Sequence, residues 1–189
     1  MKMPIAILLT QTLLVGLLAS CAAPTAPTVP AALRVPASQT VSLEAIGKGV
    51  QIYVCEADKT DPTRFAWVFK QPEATLFDRG GKQIGKHYAG PTWESNDGSK
   101  VIGAVTARDD GPDATAIPWL LLTAKSTSGQ GVFSATKSIQ RVNTVGGKAP
   151  AEGCDRTLVD AVARVPYQAT YYFYDAGLSE PGATKGPSY

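Results

Sequence analysis

The stretch GVQIYVCEA, residues 49–57, decides how the chain folds. Val50, Ile52 and Val54 fall on one phase of a two-residue repeat, and Gln51, Tyr53 and Cys55 on the other. Successive side chains of a strand point to opposite faces, so the pattern is that of an extended strand. Similar runs follow: RFAWVFKQP (64–72), EATLFD (73–78), QIGKHYAG (83–90), TWES (92–95), SKVIGAVTA (99–107), IPWLLLTAKS (117–126), GVFSATKSIQRVNT (131–144) and YQATYYFYDA (167–176). They are short, rich in Val, Ile, Thr and aromatic residues, and separated by Gly, Pro and Asp. The expected fold is all-β: a single β-sandwich or barrel-like domain of short antiparallel strands with little helix. One segment, DRTLVDAVARV (155–165), has a rough 3.6-residue period and reads equally as a loop and strand start. The paired glycines of RGGK and NTVGGKAP lie between strand-like runs and read as turns, not as phosphate cradles.

The chain before this domain reads as an export signal. Lys2 precedes an apolar run from Ile5 to Leu18, which is the length of a signal core and short for a membrane span. The run ends in LASC, Leu18–Cys21, the pattern of a bacterial lipoprotein signal. Small residues suit the peptidase groove beside the cut, and the Cys21 sulfur would carry the lipid. A plain secretory signal cut at an Ala-rich site is the alternative. Residues 1–20 are therefore expected as signal peptide, with Cys21 as the lipidated first residue of the exported protein. Ala22 in place of Asp favours the outer membrane in a Gram-negative host. Residues 21–40 hold Pro24, Pro27, Pro30 and Pro36 and read as an extended tether. At about 3.1 Å per residue such a tether reaches on the order of 50 Å. The β-rich domain is expected over 41–176 and a flexible tail over 177–189.

Cysteine count agrees with this arrangement. With Cys21 assigned to lipid, Cys55 and Cys154 remain. An oxidising compartment makes a Cys55–Cys154 disulfide the natural pairing, and two buried free thiols the alternative. The chain has 18 Lys and Arg against 16 Asp and Glu, with no basic run, which argues against a nucleic-acid partner.

Candidate functional residues concentrate in GKHYAGPTWESNDGSKV, residues 85–101. His87 is the one histidine and could act as a general base. Alternation puts His87 on a face with Gly85 and Ala89, and Tyr88 opposite with Lys86 and Ile84. Glu94 and Asp97 could form an acid–base pair with it, but Asp97 precedes Gly98 in a hairpin-turn signal and is explained by that turn. Tyr88 and Trp93 are the candidate ligand-binding residues, since exposed aromatic side chains serve as platforms for sugars and peptides. Trp119, before three leucines, is expected in the core, and the excess aromatics of TYYFY in a second layer or at a sheet rim. No metal site is expected from one His and two paired Cys, and no cofactor motif is present.

The blocks IYVCEA (52–57), HYAGPTWE (87–94), IPWLLL (117–122), QRVNT (140–144), GCD (153–155) and YYFY (171–174) resemble, in this order, domain-of-unknown-function family 3455. The likeness covers nearly all of residues 41–175. The resemblance implies an exported domain, known in bacteria and fungi, and assigns no reaction, so no residue inherits a role. Some fungal relatives carry a malate dehydrogenase label; this chain lacks the Gly-rich strand-to-helix turn that a nicotinamide site needs. Both Cys55 and Cys154 lie within the family motif, in keeping with a bridge. The expectation is a lipid-anchored protein of the cell envelope. It would bind or support, with the membrane as partner through Cys21 and an envelope glycan or protein as a further one. The alternatives are an envelope hydrolase using His87 with Glu94 or Asp97, and a carbohydrate-binding module.

Overall fold

Strand β1 (Gln39–Ala57) pairs along one side with β2 (Phe65–Phe77) and along the other with β8 (Val162–Ala176). This double pairing closes the sheet. Between them, β3 (Gln83–Tyr88), β4 (Thr92–Ser95), β5 (Lys100–Asp109), β6 (Trp119–Ser128) and β7 (Thr136–Gly146) follow in chain order, each antiparallel to the next. The result, a computed structural model describing residues 24–177, is an eight-stranded closed barrel. Of the two all-β architectures expected, the barrel is the one formed. Residues 1–23, with the expected signal peptide and Cys21, and the tail from residue 178 lie outside the described residues. The segment 155–165 forms turns and then the first residues of β8. Its apolar spacing reflects a loop and strand start, and Leu158, Val159 and Val162 are exposed.

The interior phase of β1 is the one carrying Ala45, Gly47, Gly49, Gln51, Tyr53 and Cys55; the aliphatic phase of Val50 and Val54 faces outward. Small residues on β1 make room for large rings from elsewhere, as the bore of a narrow barrel demands. A Cβ at Gly47 would lie 2.6 Å from Cε2 of Tyr171, so this position requires glycine. Val101, Leu122, Ile139, Tyr171 and Phe173 fill the bore. Register shifts at Ile52/Tyr53 and Val105/Ala107 bend the wall.

One end of the barrel is plugged. Phe133, on the loop between β6 and β7, is buried against Phe173 with ring centroids 4.6 Å apart. Asp97 holds that plug. Its Oδ1 accepts from the Ser99 amide (2.9 Å) and hydroxyl (2.6 Å), and its Oδ2 from the Val132 amide (2.9 Å). Ser99 Oγ in turn accepts from the Phe133 amide at 3.1 Å. Asp97 thus takes the turn position expected of it, with Gly98 at φ +87°, and also ties two loops together. The Ser99 and Val132 donors hold its carboxyl down at about 2.

Residues 24–38, expected as an extended tether, lie on the barrel wall. A short 3-10 turn (Ala31–Leu33) seats Leu33 at 0% exposure, and Gln140 Nε2 donates to Leu33 O at 2.6 Å. Val29 and Val35 pack on an outer cluster of Val142, Tyr172 and Tyr174. The prolines forbid a long helix or central strand but not this irregular strap. Trp119 belongs to this outer cluster and not to the bore, because Leu120 and Leu122 take the inward phase of β6. The expected second aromatic layer is Tyr172 and Tyr174 beneath the strap.

Candidate functional site

The end opposite Phe133 is framed by the β3–β4 turn, where a cis Gly90–Pro91 bond lies, the β5–β6 loop and the β7–β8 loop. A disulfide joins Cys55 at the end of β1 to Cys154 in the β7–β8 loop, with Cα atoms 5.4 Å apart. Trp67 Nε1 donates to Glu152 O (3.0 Å) and so fastens the same loop to β2. The expected pairing of the two cysteines is therefore present.

Behind this frame the bore opens into a cavity of about 590 Å³. Its walls are apolar, with Phe69, Val105, Ile117, Leu120 and Leu122 among them. Its polar groups come from seven strands: Gln51 on β1, Lys70 on β2, His87 on β3, Trp93 on β4, Arg108 on β5, Arg141 on β7 and Tyr171 on β8. Such a mixture of apolar wall and few convergent polar groups is typical of small-molecule sites.

His87 is 3% exposed, and its ring stacks on Trp93 (4.4 Å, 13° between planes). Tyr171 meets both rings edge-on, at 5.2 Å from His87 and 5.5 Å from Trp93. The His87 Nδ1–H donates to Thr92 O at 2.8 Å, so Nε2 is the acceptor. Burial among rings outweighs that bond and pushes His87 down to about 3, leaving it neutral at physiological pH. Burial likewise raises Tyr171 and Tyr167, whose hydroxyls lie 3.2 Å apart and stay protonated.

The neutral His87 carries a pH prediction. Its folded value lies below the usual 6.5, so the unfolded chain binds the extra proton between about 6.5 and about 3. Stability is accordingly full above that window and declines as pH falls through it, by at most about 1.4 kcal/mol per pH unit. Chemical denaturation at a series of pH values should show this acid decline, and His87→Gln should flatten it. An unchanged slope in the variant would show that His87 is not the group responsible.

Arg141 is partly buried, and its Nε and Nη2 donate to Pro118 O at 3.1 and 2.9 Å. Burial lowers its value, yet a guanidinium stays charged throughout the physiological range. Trp93 Nε1, itself buried, lacks a hydrogen-bond partner among the described residues.

The other candidates of the 85–101 stretch are elsewhere. Register pairs Lys86 with Glu94 and His87 with Trp93, so the two pairs occupy opposite faces of the wall. On the outer face, Tyr88 donates to Glu94 Oε2 (2.7 Å), with Lys86 and Lys100 Nζ at 3.5 and 3.4 Å. The Tyr88 hydroxyl holds the Glu94 carboxyl below its usual range. Glu94 therefore does not meet His87 across the wall, and Asp97 is at the plugged end. No acid–base pair with His87 is formed. Trp93, a candidate platform, is 1% exposed and is part of the bore. Among the described residues, no three His, Cys, Asp or Glu side chains gather at one point.

Arg141, Gln51 and Tyr171 were not singled out from the sequence. The signal existed: Arg141 shares the strand phase of Ile139, and Gln51 that of Tyr53 and Cys55. A polar side chain on the inward phase is the mark of a lined bore.

No curated protein matches the chain. No solved structure matches it either. The family described as protein of unknown function (DUF3455) matches over residues 36–175, which takes in the whole cavity, the disulfide and the plug; the chain belongs to that family.

Proposed function

We propose that this chain is a lipid-anchored protein of the cell envelope that binds one small molecule in the open end of its barrel. The observation that supports it is the cavity of about 590 Å³, within the range of small-ligand sites. A catalytic role draws no comparable support. Among the described residues no carboxylate lines the cavity, Tyr171 is held protonated, and a histidine near 3 is a weak base at neutral pH. Anchoring rests on the LASC sequence ending in Cys21 and on the Ala22 that follows it. Two acyl chains or more hold firmly where one is marginal. Outer-membrane placement would follow in a Gram-negative host.

Two measurements test the reading. Protein purified from its own envelope, denatured and extracted, should release a small molecule near one per chain. Val105→Trp, which fills the rim at a residue 54% exposed, should release far less. Identical extracts from both proteins would count against the cavity as the site. Mass spectrometry of the mature protein should find acylated Cys21; a free amino terminus further along would remove the anchor.

A further inference from the structure

We infer that the cavity ligand is an organic anion: a carboxylate head held at Arg141 and an apolar body against the Phe69, Val105 and Leu122 walls. This rests on the binding reading above and names the chemistry of the same site.

The argument begins with charge. Among the described residues three cations line the cavity, Lys70, Arg108 and Arg141, and no carboxylate does. Lys70 is paired with Glu56 at 2.6 Å and Arg108 with Asp110 at 2.9 Å. Arg141 differs from both. Among the described residues no carboxylate oxygen lies within 4.0 Å of its guanidinium. Its bonds are to a neutral carbonyl, Pro118 O, and the Tyr171 hydroxyl stands beside it. A cation withdrawn from water without a counter-ion is costly, and an arriving anion removes that cost.

A cation whose bonds are to a neutral carbonyl asks for acceptor oxygens, and a planar carboxylate suits the guanidinium fork. The rim cations would add attraction for an incoming anion. The walls set the rest of the molecule: aliphatic and aromatic side chains favour a body without charge.

The test uses the full folded domain and matched probes in calorimetric titration. 2-Naphthoate and its neutral match 2-naphthamide form one arm; decanoate and decanol form another; inorganic phosphate is the third. Each carboxylate is expected to bind at least tenfold more tightly than its neutral match. The naphthyl and decyl arms distinguish a compact aromatic acid from a fatty acid. Arg141→Gln should remove the tenfold preference, while Arg141→Lys should retain part of it. Raising salt should weaken the carboxylates and not the neutral probes. Should Arg141→Gln fail to fold, the wild-type comparison within each pair still decides. Equal binding of carboxylate and neutral match would overturn the anion while leaving a binding cavity in place. Phosphate binding as tightly as the organic acids would overturn the apolar body. Absence of binding by every probe would overturn both this inference and the binding reading.

Discussion

Replacing Cys55 and Cys154 together by alanine is expected to lower folding stability by about 4–5 kcal/mol. The bridge closes a sequence separation of 99, and tying so long a loop removes much of the freedom of the unfolded chain. The native side of the comparison changes less. The Cys55 amide donates to Ala161 O and the Asp160 amide to Cys55 O, both at 2.9 Å. Together with Trp67 on Glu152 these bonds keep the β7–β8 loop in place without the sulfur link. The loss should therefore appear mainly as a lower denaturation midpoint, with the fold retained. Urea titrations of the double variant and of wild type under reductant should agree with each other and fall well below oxidised wild type. A difference under about 1 kcal/mol would show that the unfolded chain gains little freedom from opening the loop.

Trp93→Ala should cost about 3–5 kcal/mol, and Trp93→Phe far less. Trp93 packs on His87, Tyr171 and Phe173, and the absence of a side chain at Gly103 gives it room. Truncation to alanine leaves a hole among three rings that the closed sheet cannot collapse to fill. Phenylalanine keeps most of the ring contact and also removes the unpaired Nε1–H, which offsets part of the lost volume. Thermal or chemical denaturation of the two variants checks the order. A phenylalanine variant as unstable as the alanine variant would mean that Nε1 has a partner in solution.

Local features of the fold were legible because their causes are local. Gln51, Tyr53 and Cys55 share a face since a strand alternates, and Asp97–Gly98 turns because glycine accepts the positive φ. The separation of His87 from Tyr88 followed from the same alternation. Ring closure was not legible, since it depends on β1 meeting β8 more than a hundred residues later. Which phase of β1 turns inward was not legible either: the phase of Val50 and Val54 faces out, because a narrow bore needs Gly47 beside the Tyr171 ring and Gly49 where β2 comes close at Glu73 and Ala74. The site suffered most from this. His87 and Trp93 were found by residue type, but Arg141 becomes important only once three strands from distant parts of the chain surround it. The strap was misread for a related reason: proline content describes backbone freedom, whereas the docking of Leu33 depends on a surface formed by β5, β6 and β7.

A ring has no first or last strand. Open sheets expose a row of backbone donors and acceptors that another chain can extend, and that row is a common start of aggregation. Here the β1–β8 pairing spends the groups of those two strands on each other, and one-sided backbone remains where β3 and β4 are short: among the described residues Phe65–Gln71 of β2 pair with β1 alone, and Ala104–Asp109 of β5 with β6 alone. Strand addition then remains open to those stretches, while a partner docking on the doubly paired part of the described wall must read its side chains.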